Sequence, residues 1–265
     1  MHQRIHSWKR MLLPALIVLL LVVARQPGAT AAEPLAVSSP VSSLVPAKSA
    51  SPDSDMVLSA PTDVKELPIA QFIPPYDASV LKTLERMGLV SDHLDVWMST
   101  HPTSVLRHLR YMPVALQRKV ASLTTFIRSQ NDRIDHKTAW REATALVHYS
   151  NKYGVSVPLA VGVAHAESRF NPGAQSSKGA LGVMQVRWTV HNGLLGANGI
   201  SSREQMFDPE LGVAAGCLLL SRYIKAYGTV QQAMTRYYGG SSFAYMRKVN
   251  RNIAKLLNHE NRGKN

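Results

Sequence analysis

The feature that most constrains the fold is the run Val157-Pro158-Leu159-Ala160-Val161-Gly162-Val163-Ala164-His165-Ala166-Glu167. Wound as a helix it is apolar nearly all round, and such a helix belongs inside a domain, with other elements packed on every side. The chain can supply them. It has 265 residues, 45% of them hydrophobic, enough for a real core and too many for wholesale disorder. The surrounding periodicity is helical. Val80, Leu81, Leu84 and Met87 lie at helix spacing before a stop at Gly88, and Leu94, Val96, Trp97 and Met98 form a short second helix. Pro102 starts a third through Val105, Leu106 and Leu109, and Pro113 a fourth through Leu116, Val120, Leu123, Phe126 and Ile127. A further helix carries Ala139 to Tyr149 and stops at Gly154. Asp208-Pro209-Glu210 reads as a helix start: a capping Asp, Pro in the first turn, and an acid on the positive end of the dipole. That helix runs to Gly228, followed by helices over Val230 to Tyr237 and Phe243 to about Leu257. Between Glu167 and Asp208 lies a loop rich in Gly, Ser and Asn, with turn signals at Asn192-Gly193 and Asn198-Gly199 and capping-box spacing at Ser201 to Glu204. The fold class expected is mainly α.

The N-terminus reads as an address. Arg4, Lys9 and Arg10 precede an apolar run from Met11 to Ala24, which Pro14 interrupts and which is short of the roughly 20 residues of a bilayer span. With Ala29-Thr30-Ala31 behind it, this is the pattern of a secretory signal peptide cleaved after Ala31; an uncleaved anchor is the alternative, and either implies export to a periplasm. Residues 32–75 recur in Pro, Ser and Ala and read as a semi-extended linker. Residues 76–135 then form a small helical accessory region, and residues 136–265 the domain that carries the chemistry.

Charge separates these segments. The whole chain carries +13, and removing residues 1–31 takes away four bases and no acid, leaving +9. Residues 136–265 hold sixteen bases and six acids, whereas residues 32–135 are nearly neutral. Such a balance favours an acidic partner, whether nucleic acid, anionic lipid or an acidic wall polymer. Export points away from nucleic acid, for which no motif is present, and toward the envelope.

Two ionisable groups close the apolar helix. Burial raises a carboxyl pKa, and a helix C-terminus also disfavours negative charge, so both effects push Glu167 toward the protonated acid that a proton donor needs. The next acid in the chain is Glu204, so the adjoining loop offers no second carboxylate for a two-carboxylate glycosidase. It offers Ser168, Asn171, Ser176, Ser177 and Gln185, with glycines that let a ligand approach the backbone. Neutral amides and hydroxyls suit sugar hydroxyls and N-acetyl groups. Taken alone, Glu167 would equally suit a helix-end ion pair with Arg169 or Lys178.

The stretch 167–185, Glu-Ser-Arg-Phe-Asn-Pro-Gly-Ala-Gln-Ser-Ser-Lys-Gly-Ala-Leu-Gly-Val-Met-Gln, resembles the signature of the soluble-lytic-transglycosylase type of murein-cleaving enzymes. Two shorter blocks follow in that family's order. One is Phe207-Asp208-Pro209 leading into a helix that ends at Ser221-Arg222-Tyr223, and the other is Arg236-Tyr237-Tyr238-Gly239-Gly240. The resemblance covers roughly residues 136–258. It departs from the family at Gly212 and Tyr238, where Asn is usual. It implies a lysozyme-like catalytic domain that cleaves the MurNAc–GlcNAc bond of peptidoglycan without water, giving 1,6-anhydro ends. Glu167 would serve as acid and then base, and Tyr237 would orient it through a hydrogen bond. Ser176 and Gln185 would line sugar subsites, with Met184 as an apolar wall. No cofactor or metal is implied, and the partners are glycan strands, with an envelope or secretion-apparatus protein as a further possibility.

Two rivals share that fold: a muramidase that uses water, with Asp208 as the second acid, and a non-catalytic wall-binding or secretion subunit. Other chemistries find no support. His165-Ala166-Glu167 has the His-x-Glu spacing of zinc deaminases, but those need further Cys ligands and Cys217 is the single cysteine. No His-Glu-x-x-His or Gly-x-Ser-x-Gly pattern occurs.

Overall fold

The computed structural model describes residues 74–240 and 243–263. The signal segment and all but the last two residues of the linker expected from the sequence lie outside them. The helices are α1 (Ala78–Arg86), α2 (Ser91–Thr100), α3 (Val114–Gln130), α4 (His136–Tyr153), α5 (Val157–Ser168), α6 (Trp188–Gly196), α7 (Pro209–Tyr227), α8 (Val230–Tyr238) and α9 (Phe243–Arg262). Two 3-10 turns, Val105–Tyr111 and Glu204–Phe207, and one antiparallel ladder complete the description. In the ladder β1 (Ala180–Leu181) meets β2 (Val186–Arg187), with Ala180 opposite Arg187 and Leu181 opposite Val186. No helix among the described residues is long and apolar enough to cross a membrane.

The apolar run becomes α5. Ser156 caps it, its side chain accepting from the Leu159 amide, and Pro158 sits in the first turn. Positions 159–166 are all buried, as an all-round apolar helix requires. Its main neighbour is α9, and α4 and α7 approach from other sides. One hydrophobic cluster runs from Tyr76 in the first described residues to Leu256 in α9 and includes Trp140, Phe126 and Phe170. A second, smaller cluster gathers Leu181, Val186, Leu195, Ile200 and Met206 against α7.

Two local expectations are revised. The third predicted helix is a 3-10 turn, whose Ser104 side chain accepts from the Leu106 amide. The stretch around Asn192-Gly193 is helical, as α6. Leu195 there is fully buried, with Trp188 and Leu194 packed beside it in the second cluster, and that packing outweighs the roughly 1 kcal/mol helix penalty of a glycine.

Asp208 caps α7 as its sequence context foretells, accepting from the amides of Glu210 and Leu211 at 2.9 and 3.0 Å. Its other oxygen accepts from Arg141 Nη2 at 2.6 Å. The neighbouring Glu210 is buried and fully engaged. Its carboxylate accepts from Arg141 Nε at 2.7 Å, from the Ser104 hydroxyl at 2.5 Å and from the Val105 amide at 2.8 Å. A carboxylate on α7 thus ties the 3-10 turn to α4, and each lone pair so used offsets part of its desolvation. Glu142, one position along α4, differs. It is fully buried with no hydrogen-bond partner among the described residues, and burial, aided by Asp135, drives its pKa well above the usual range, so it is held neutral.

Glu210→Ala leaves Arg141 buried with half its partners. It is expected to lower unfolding stability by about 3–5 kcal/mol, against about 1–3 kcal/mol for Ser104→Ala, which removes one donor. Urea unfolding of the two variants checks the order.

Candidate active site

Glu167 lies in the last turn of α5, half-buried. The helix ends with Arg169 in the left-handed region at φ 54°, its amide donating to the His165 carbonyl, and Phe170 follows at φ 64°. Two successive non-glycine residues in that region are strained. The fully buried Phe170 ring holds the turn in place, stacked 5.3 Å from the His165 ring. His165 therefore faces the core. Burial first, then Lys255, Arg169 and Lys248, push its pKa down to about 4, so it is neutral. Residues 165 and 167 are roughly 200° apart on a helix, which leaves Glu167 on the other side.

The partners of Glu167 come from α9. The Tyr245 hydroxyl donates to Glu167 Oε1 at 2.5 Å, and Lys248 Nζ donates to the carbonyl of Ala166. Burial raises the Glu167 pKa above the ordinary carboxyl value; the Tyr245 bond and the Lys248 charge act against it. Desolvation dominates, and the two α9 groups limit the rise by favouring the ionised form. Tyr245 is itself buried and stacks on Tyr238, with ring centroids 4.5 Å apart and planes 16° apart. Its own pKa is raised by burial and by Glu167, so it remains a donor.

The loop after α5 is tied down by the residues that the resemblance singles out. The Ser168 hydroxyl accepts from the Asn171 amide at 3.1 Å and donates to the Val183 carbonyl at 2.7 Å. Ser176 Oγ accepts from the Ala180 amide at 3.0 Å, closing the turn before β1. Gln185, itself at φ 50°, donates its side-chain amide to the carbonyls of Ala174 and Gly182, both at 3.0 Å. Ser176 and Gln185 are both half-buried.

Two expected positions differ. Tyr237 does not bond Glu167: its hydroxyl donates to the Met184 carbonyl at 2.7 Å, and Tyr245 takes the place at Glu167. Tyr237 is still close enough for the Glu167 charge to raise its pKa, after burial. Met184 does not wall a cleft: its side chain is 0% exposed and rests on Gly216 of α7, where a Cβ would stand 2.3 Å from its sulfur. Volume is the reason, since the bare backbone at 216 leaves a hole that only a buried side chain fills. The family departures acquire a local reason as well. A Cβ at Gly212 would come within 2.9 Å of the Met206 carbonyl, and Tyr238 supplies the ring on which Tyr245 stacks.

Tyr245 and Lys248 are the neighbours of Glu167 that sequence reasoning missed. A signal existed. Tyr245, Val249, Asn252 and Leu256 are the buried stripe of α9, and a Tyr heading such a stripe needs a partner for its hydroxyl.

The fold is mainly helical and lysozyme-like, with a half-buried carboxyl at the end of a core helix bonded by a tyrosine. Residues 145–258 match the family model described as Transglycosylase SLT domain. A 94-residue stretch is 39% identical to the membrane-bound lytic murein transglycosylase C of Yersinia pestis (strain Pestoides F), and equally to that of Yersinia pseudotuberculosis serotype O:1b (strain IP 31758). The match covers 33% of this chain and 26% of each relative, so the chain spans about a quarter of the length of the curated relatives it matches. No solved structure gives a significant match.

Two outcomes follow from this geometry. Because the folded-state pKa of Glu167 lies above its unfolded value, the contribution of Glu167 to stability is lost as pH rises through the folded pKa. Glu167→Gln does not titrate, so its melting temperature relative to wild type should rise between pH 4 and pH 8. Gly216→Ala overpacks against Met184 and is expected to cost about 1–3 kcal/mol; chemical unfolding reads it directly.

Proposed function

We propose that this chain is a peptidoglycan lytic transglycosylase that cleaves the MurNAc–GlcNAc β-1,4 bond and leaves a 1,6-anhydroMurNAc end. The observation that carries this reading is one half-buried carboxyl, Glu167, with a raised pKa and a tyrosine donor on one oxygen. The protonated Glu167 gives its proton to the oxygen between the sugars, and the GlcNAc leaves as an alcohol. The resulting carboxylate is stabilised by the Tyr245 hydroxyl and the Lys248 charge. It takes the proton of the muramyl C6 hydroxyl as that oxygen bonds to C1, and so ends as it began. An internal nucleophile acts at high effective concentration, so no second carboxylate is needed to activate water.

The disposition of the acids that follow Glu167 as far as α7 supports this route over hydrolysis. Asp208 is committed to capping α7 and to Arg141, Glu210 is buried in its own network, and Glu204 is exposed at a 3-10 turn. Tyr237 is the positioning residue of the loop, fixing the Met184 carbonyl, while Ser176 and Gln185 shape the backbone that meets the sugars. Met184 contributes packing beneath them. We place the protein in the bacterial envelope, with residues 1–31 as export signal or anchor, residues 32–75 as linker, residues 76–135 as accessory region and residues 136–265 as catalytic domain. An envelope or secretion-apparatus partner fits that placement.

Mass spectrometry of muropeptides released from sacculi is expected to show anhydro ends with wild type and a loss of about 10²–10⁴-fold in their release with Glu167→Gln. Equal release by both, or reducing-end muramic acid carrying oxygen from labelled water, overturns the proposal. Tyr245→Phe removes a bond that favours the carboxylate, so the Glu167 pKa rises further, and the pH dependence of release should move upward with it.

A further inference from the structure

The two faces of α9 differ sharply. Tyr245, Val249, Asn252 and Leu256 are buried, whereas Arg247, Arg251, Lys255 and Arg262 are exposed. At 3.6 residues per turn those four bases fall within about 80° of arc, a stripe roughly 22 Å long. The acid of this helix, Glu260, lies on another face and is engaged by Lys119 Nζ at 2.9 Å. Among the described residues no ion pair involves any of the four bases. Like charges one turn apart repel, so the stripe costs the helix stability, and no ion pair among the described residues offsets that cost.

The stripe starts level with the site but on the outer side of α9, with Arg247 roughly 160° round the helix from Tyr245. Tyr245 and Lys248, in the first turns of the same helix, touch Glu167 and the Ala166 carbonyl. Phe243 stands at its head, 72% exposed, with the Arg247 guanidinium 4.9 Å from its ring centroid. We propose that the outer face of α9 is a docking surface for the carboxylate-bearing stem peptides of the glycan. This rests on the reading of the site as a transglycosylase. A lipid surface is the less fitting occupant. An interfacial helix carries a broad apolar face into the headgroup boundary, whereas here the apolar face of α9 is spent on the core and its exposed large hydrophobics are Phe243 and Leu257.

The test uses the full chain with Glu167→Gln to stop turnover. Binding is measured to glycan strands that keep their stem peptides, to strands stripped by an amidase, and to vesicles of phosphatidylglycerol and phosphatidylcholine. Peptide-bearing strands should bind about tenfold more tightly than stripped strands at low salt, the sum expected of a few exposed charge pairs, and high salt should erase the difference. The charge reversal Arg247→Glu, Arg251→Glu and Lys255→Glu should erase it too, with circular dichroism and melting temperature checking the fold. Arg247→Lys with Arg251→Lys should keep it, and tests the surface without reversing any charge. Equal affinity of the parent for both kinds of strand overturns the proposal. So does a charge reversal that keeps the preference, or one that abolishes only vesicle binding. Failure of the underlying reading looks different: wild type would release no anhydro ends from sacculi, whatever the stripe does.

Discussion

The structure depends on how one carboxyl is kept at the edge of the core. Glu167 ends a helix whose other side chains are almost wholly buried, so desolvation acts on it without any special device. Left to desolvation alone it would be a reluctant proton donor. Tyr245 and Lys248 reach it from α9 and restrain the rise. The reaction proposed asks one group to be first an acid and then a base. Desolvation favours the protonated acid, and the Tyr245 bond and Lys248 charge favour the carboxylate left once the proton is given up.

That placement needs the rest of the fold. The left-handed pair Arg169 and Phe170 turns the chain sharply out of α5 into the polar loop, and Phe170 is anchored by aromatic contacts with His165 and Phe126. The loop is then fastened to α7 through Met184 on Gly216, and to α8 through Tyr237 on the Met184 carbonyl. Residues that look like substrate ligands in the sequence are, in the structure, ties that hold the loop backbone in position.

The sequence makes much of this legible, and the limits are physical. Helical periodicity places α4, α5 and α7, because a buried helix writes its burial into local order, and the Asp208-Pro209-Glu210 start is read correctly because capping is local. Glu167 stands out for the same reason, as the acid that closes the apolar run. Tyr245 does not, because its bond to Glu167 spans 78 positions and depends on how α9 packs on α5. Met184 is misread since nothing near it in the chain reveals that Gly216, a helix away, leaves it a socket. Likewise α6 is missed because its glycine and asparagine argue locally for a turn, and only the second cluster overrules them.

Glu210 carries a consequence for how such modules are inherited. It lies inside the family match, yet Ser104, Val105 and Arg141, which satisfy it, all lie upstream of residue 145. The segment recognisable by kinship is therefore smaller than the piece that can stand as a cooperative whole. A gene fusion cut at the border of resemblance would strand the Glu210 carboxyl in the interior without the groups that satisfy it.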